Sequence, residues 1–249
     1  MKSNTGVLLG RLMRNILRSP DTIITVAITP IMMLLLFVYV FGGAIESGTD
    51  NYVNYLLPGI LLMAIASGVA YTSVRLFTDV KCGLMARFIT MPIKRSSVLW
   101  AHVLTSLVSN ALTVVVVILV ALLMGFRTSA DILDWLAVAG ILGLFTLALT
   151  WLAVIPGLTA RSIEGATAYS YPLIFLPFIS SAFVPTETMP KIVRAFAENQ
   201  PVTSIVNAIR TLLYDGSVGN GIWIALAWCF GIMIIAYFFA CNAFKRQLG

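Results

Sequence analysis

Residues 98–124 read VLWAHVLTSLVSNALTVVVVILVALLM, 27 positions without one Asp, Glu, Lys or Arg. As a helix this stretch rises about 40 Å. The hydrocarbon core of a bilayer is about 30 Å thick. The stretch is therefore read as a membrane span, and the rest of the chain agrees. Apolar residues fill 59% of the 249 positions and charged residues 10%, where soluble domains carry about 45–50% and about 25%. A chain of this size has too much surface to hide the excess in a core, so the solvent it meets is lipid.

Working outward, the same pattern predicts five more spans. They are expected at about Ile23–Phe41, Tyr55–Phe77, Trp135–Leu158, Tyr169–Phe183 and Ile222–Phe244. Pro30 falls inside the first and is expected to kink it, while Pro172 and Pro177 interrupt the fifth; spans tolerate such breaks where neighbours re-satisfy the backbone. The expected fold is an all-α, polytopic membrane protein of six helices, with residues 1–249 forming one transmembrane unit and no room for a soluble domain. The basic stretch Lys2–Arg18 is too long for the n-region of a signal peptide, and no small-residue cleavage site follows the first apolar run. The N-terminus is expected to be retained.

Orientation follows from Lys and Arg. One side of the six-span arrangement holds Lys2, Arg11, Arg14, Arg18, Arg75, Lys81, Arg87, Lys94, Arg95, Arg161, Lys245 and Arg246; the other holds Arg127, Lys191, Arg194 and Arg210. The bias puts both termini in the cytoplasm. The net charge of +6 is thus a topology signal and gives no reason to expect a nucleic acid partner.

Three segments are neither spans nor plain connectors. On a helix from Asn4 to Arg18, Arg11, Arg14 and Arg18 share one face, opposite Leu9, Leu12, Met13, Ile16 and Leu17. This reads as a helix in the cytoplasmic interface, or as a plain basic flank. In the loop Asp79–Arg95, Val80, Leu84 and Phe88 repeat at helical spacing beside Met85 and Ile89, and Pro92 ends the pattern. This short helix could dip into lipid headgroups or dock into a partner's groove. The segment Val184–Gly221 is too long for a connector. Pro185, Pro190 and Pro201 divide it into apolar pieces too short to span. Two short helices that re-enter or cap the outer leaflet fit it, as does a surface hairpin.

The missing chemistry is informative. A phosphate-binding P-loop ends in Gly-Lys, and the five lysines follow Met, Val, Ile, Pro and Phe. His102 has no second His or Cys near it and reads as a hydrogen-bonded side chain at the start of its span. Cys82, Cys229 and Cys241 suggest neither a disulfide framework nor a zinc site. Asp131 and Asp134 precede a span, where acids at a helix start are ordinary. No acid or base sits near mid-span, where proton and ion relays keep them. The polar residues there, such as Thr72, Ser73, Asn110, Thr113, Thr146 and Thr150, suit helix packing. A mild, mostly apolar path would suit a hydrophobic or amphiphilic substrate better than an ion.

Taken together, the basic N-terminal helix, Tyr55-Leu-Leu-Pro-Gly-Ile opening the second span, the acidic-to-Pro loop with Gly83 and Pro92, and the outer Pro185, Met189-Pro190, Gln200-Pro201-Val-Thr and Arg210 resemble the type-2 permease family of ABC exporters, daunorubicin-resistance type. The resemblance covers essentially the whole chain and rests on order and spacing. It departs at Asn199-Gln200-Pro201, where many relatives have Asn directly before Pro.

That resemblance implies a bacterial plasma-membrane permease that exports a drug, antibiotic, lipid or glycolipid, without catalysis or cofactor of its own. ATP and magnesium would sit on a separate ABC ATPase subunit. That subunit would push on the coupling segment Asp79, Lys81, Gly83, Leu84, Met85, Arg87, Phe88 and Pro92, and touch the N-terminal helix with Arg11, Arg14 and Arg18. A second permease copy or a paralogue would complete the path, and the outer Pro185, Pro190, Pro201 and Arg210 would shape its exit. Two other classes stay open: an ion- or proton-coupled carrier, which should show mid-membrane acids or repeated halves, and a membrane enzyme acting on lipid, which should gather a polar cluster at one interface.

Overall fold

The computed structural model describes residues 20–41, 52–83, 96–214 and 220–248, together with Gly10 and Leu12. Among the described residues every regular element is helical. Helix α1 (Pro20–Leu36) passes through Pro30 and widens into a π-helical turn, Phe37–Phe41. Then follow α2 (Tyr52–Lys81), α3 (Ser96–Leu123) and α4 (Ile132–Thr159). A broken stretch comes next: α5 (Ile163–Ala168), α6 (Ser170–Phe175) and a 3-10 turn, Leu176–Ile179. Beyond a second 3-10 turn, Thr186–Thr188, lie α7 (Lys191–Asn199), α8 (Pro201–Tyr214) and α9 (Asn220–Leu248).

Four of these helices, α2, α3, α4 and α9, are long and apolar enough to cross a bilayer, and α1 is a shorter apolar helix. The stretch expected as a single fifth span, Tyr169–Phe183, is instead in pieces. Pro172 and Pro177 each lack the N–H that would continue the ladder, and the backbone turns extended at Ser180 (φ −128°, ψ 179°).

Helix α2 is the axis of the molecule. It is buried along most of its length, touching α1, α3, α4, α5, α6 and α8, whereas α3 and α9 turn most of their surface outward. Two apolar cores divide the bundle along its height. One gathers Leu56, Ile60 and Ile65 of α2 with Phe126, Phe183 and Ile205 and Ile209 of α8. The other holds Leu76, Val98, Val103, Trp151, Val154 and Phe244. That second core marks the end where α2, α4 and α9 finish and α3 begins. Close approach there uses a missing side chain: a Cβ on Gly157 would lie 3.1 Å from Leu76 Cβ and from the Ser73 carbonyl, so α4 meets α2 backbone to backbone.

Candidate functional site

The segment expected to couple to an ATPase begins inside α2. The helix continues through Asp79, Val80 and Lys81, Cys82 N–H bonds the Thr78 carbonyl at 2.9 Å, and Gly83 adopts φ +69°. A glycine in the left-handed region closes a helix at no steric cost. Its Cβ position is open; Gly83 is therefore needed for its backbone conformation. The apolar repeat that begins at Val80 is thus cut after Lys81, and Val80 packs instead into the core around Leu76. Leu84, Met85, Arg87, Phe88 and Pro92 lie outside the described residues. So do Arg11, Arg14 and Arg18, though Gly10 and Leu12 on either side of Arg11 are helical and Leu12 is buried.

The base of this loop is pinned. Asp79 turns inward, its carboxylate 3.2 Å from Nε2 of His102, and His102 is 2% exposed. The contact ties the last turn of α2 to the first turns of α3. His102 is the hydrogen-bonded side chain that its position suggested, and its partner is the acid that closes the preceding span.

From this pair a polar seam climbs between α2, α3 and α4. Thr72 donates to Ser106 Oγ at 2.9 Å, Ser106 and Thr150 share a hydrogen bond of 3.0 Å, and Asn110 Nδ2 donates to the Ser106 carbonyl at 2.9 Å. Thr150 in turn donates to the Thr146 carbonyl. The spacing 102, 106, 110 puts one α3 residue on each successive turn of the same face. Gly68 opposite has no room for a Cβ against the Asn110 carboxamide. The seam holds hydroxyls and one amide and no ionisable group above His102, which is what helix packing in lipid uses.

The outer residues are placed as follows. Pro185 and Pro190 precede the 3-10 turn and α7, and Pro201 opens α8, where its missing N–H costs nothing. Helix α7 carries Ile192, Val193 and Phe196 on its exposed surface, with Arg194 and Glu198 paired at 2.7 Å. Helix α8 is mostly buried and lies against α2, α4 and α9. It is locked by its ends: Thr128 and Ser129 from the α3–α4 loop donate to the Leu213 and Tyr214 carbonyls, and Tyr214 Oη donates to the Asn54 carbonyl.

Arg210 is the residue whose role the sequence hid. Its Nη2 donates to the Tyr55 carbonyl at 3.0 Å and to the Ser181 carbonyl at 3.1 Å. Nη1 reaches Asn207 Oδ1 at 3.3 Å, and the guanidinium lies 3.9 Å from the Tyr55 ring centre. Tyr55 Oη donates to the same Ser181 carbonyl at 2.9 Å. One cation thereby joins α2, the 180–183 turn and α8 through carbonyl dipoles and a π face. Only the resemblance pointed to Arg210 and Tyr55 together.

Among the described residues no three His, Cys, Asp or Glu side chains gather as a metal site. The geometry offers a membrane scaffold with two organised ends: a pinned loop base, and a cap of short helices held by one arginine.

Comparison with known proteins supplies the family. A family model described as "ABC-2 type transporter" matches residues 3–214. A curated relative, the daunorubicin resistance ABC transporter permease protein of Streptomyces coeruleorubidus, is 29% identical over 224 residues, covering 88% of this chain and 77% of its own. Another, named "Probable doxorubicin resistance ABC transporter permease protein", from Mycobacterium tuberculosis, is 25% identical over 229 residues, covering 90% and 82%.

Proposed function

The chain belongs to the ABC-2 type transporter family, and from that premise we propose that it is the transmembrane permease subunit of an ATP-driven exporter. It moves a hydrophobic or amphiphilic compound out of the cell, using the energy of a separate ABC ATPase subunit that binds ATP and magnesium. The observation that carries the reading is the family match across the membrane-spanning chain. The named relatives, with their daunorubicin and doxorubicin resistance titles, support the substrate class. The lack of any Gly-Lys pair in the sequence supports placing the ATPase on another chain.

In this reading α1 and the broken 163–183 stretch complete six spans in a bacterial plasma membrane, with both termini in the cytoplasm. Two permease chains enclose the path. Helices α7 and α8 cap its outer end, and the 79–92 loop, with the N-terminal helix beside it, receives the ATPase. A push on that loop meets α2 and α3 as one body, because Asp79 and His102 close its base.

The test is to co-express the chain with its ATPase and substitute the loop. If Phe88 docks in an ATPase groove, its burial contributes about 1.5–3 kcal/mol, a ten- to hundredfold change in subunit affinity by the usual conversion of about 1.4 kcal/mol per tenfold. Leu84→Asp and Phe88→Asp are expected to leave membrane insertion normal while the ATPase no longer co-purifies and export stops. Arg87→Ala should do less, since rim charges contribute little. Full binding and full export in both Asp variants would refute the coupling role.

A further inference from the structure

A cleft of about 460 Å³ opens between α3 and α4, with Ile65 of α2 at its back. Leu107 and Val114 form one wall, and Trp135, Leu142 and Thr146 the other. Small side chains make the space: Ala111 on α3, Ala139 and Gly143 on α4. A Cβ on Gly143 would meet nothing within 4 Å. From Trp135 to Thr146 the helix rises about 16 Å, so the cleft is elongated and runs from near the start of α4 toward its middle. Its mouth lies among residues that face outward in the apolar belt; Val115 is 52% exposed and neighbouring Leu119 55%.

Such a space does not stay empty. Its lining is too apolar to hold water. A void of this size forfeits dispersion contacts on every wall, and it falls within the range of about 300–1,000 Å³ typical of ligand sites. The surroundings at its mouth are lipid tails. We propose that the cleft is a binding site for one alkyl chain of a bilayer lipid, which enters sideways between α3 and α4. The occupant fits in three respects. It is uncharged, as the walls require; it is long and narrow, as the cleft is; and it is present at the mouth. Its far end meets Thr146, whose carbonyl accepts from Thr150, the residue that joins the seam at Ser106. An inserted chain therefore sets the α3–α4 spacing beside the bonds that hold these helices together. The proposal needs α3 and α4 to lie in a membrane, and it does not depend on the ATPase or on export.

The experiment uses the full chain in nanodiscs, with Trp135 as its only tryptophan, in phospholipid brominated at mid-chain. Bromine in the cleft quenches Trp135. Filling the cleft by Gly143→Phe or Ala139→Leu is expected to abolish most of that quenching. Gly140→Phe, whose Cβ position is also open but which does not line the cleft, should leave it intact. A parallel chain retaining only Trp223, 66% exposed on α9, should be quenched equally with every substitution, showing normal insertion. Trp135 quenching unchanged by both filling variants, with Trp223 normal, would overturn the proposal.

Discussion

A single arginine does the work of a loop closure. Arg210 meets two main-chain carbonyls, one side-chain carbonyl and an aromatic face, and among the described residues no carboxylate touches it. Its planar fork lets Nη2 serve the Tyr55 and Ser181 carbonyls while Nη1 reaches Asn207. Hydrogen bonds to charged groups contribute about 1.5–3 kcal/mol each. Arg210→Met keeps the stem and removes the donors, and it should destabilise the protein by about 3 kcal/mol on that scale. Arg210→Lys should restore only part of the loss, because one ammonium nitrogen in the place of Nη2 leaves the Nη1 bond to Asn207 and the planar face over Tyr55 unmade. Unfolding in mixed micelles followed by tryptophan fluorescence reads both. At the opposite end, Asp79→Ala should leave His102 Nε2 buried without its partner, at a cost of about 1–3 kcal/mol, and Asp79→Asn should recover most of that because its carboxamide oxygen still accepts. These two sites differ in how the sequence announced them. His102 and Asp79 lie at the margins of apolar runs, which is where a polar side chain finds a polar partner. Arg210 stands in an outer segment among exposed-looking charges, and nothing local says that it turns inward.

At the scale of elements, the long spans were legible because a bilayer imposes length and hydropathy together. Helices α2, α4 and α9 contain the expected spans and outrun them by about a turn or less, and α3 begins two residues early and ends one short of Met124; interfacial residues such as Asp79 and Lys81 extend a helix past its apolar stretch. The short helices α7 and α8 were legible from proline punctuation. The fifth stretch was not, because hydropathy sums over proline and cannot tell a kinked helix from several short ones. Nor does hydropathy reveal which glycines are compressed. A Cβ on Gly59 would sit 2.6 Å from Ala182 Cβ, where α2 packs against the 180–183 turn, whereas Gly140 has open space. The two make a matched test in one fold. Gly59→Ala should lower the melting temperature in detergent, since overpacking costs about 1–3 kcal/mol. Gly140→Ala should raise it slightly, since Ala gains about 0.5–1 kcal/mol over Gly within a helix. Equal effects would mean that α2 and the turn are not in contact in the membrane.

For the whole molecule, the distribution of unpartnered apolar surface separates lipid-facing helices from the proposed seam between permease copies. Helix α9 exposes Trp223, Trp228, Phe230, Ile234 and Phe238 over one broad face and buries Ala225, Cys229, Ala236 and Ala240 opposite, as a helix on the lipid-facing rim of a bundle would. Helix α1 is different. Ile24, Ile28, Met32 and Leu36 are exposed at intervals of four with Thr25 and Thr29 beside them, a shorter face than that of α9, and Val26, Ala27 and Leu34 are buried against the same chain. Of the broken stretch, Tyr171, Phe175 and Ile179 are exposed in the same way. One helix-wide stripe is the geometry of pairing with a second helix, and a two-chain path needs such a seam. The prediction is a contrast between two single cysteines in an otherwise cysteine-free chain co-expressed with the ATPase subunit. Met32→Cys should give a dimer on oxidation within the native membrane, at a yield that changes when the ATPase is locked with a non-hydrolysable nucleotide, because the seam must move if it lines the path. Ile234→Cys, equally exposed but on α9, should remain monomeric under the same oxidation. If Ile234→Cys cross-links and Met32→Cys does not, the seam runs along α9. A Met32→Cys dimer that ignores nucleotide would mark the stripe as a static contact, and the path would have to lie elsewhere in the pair.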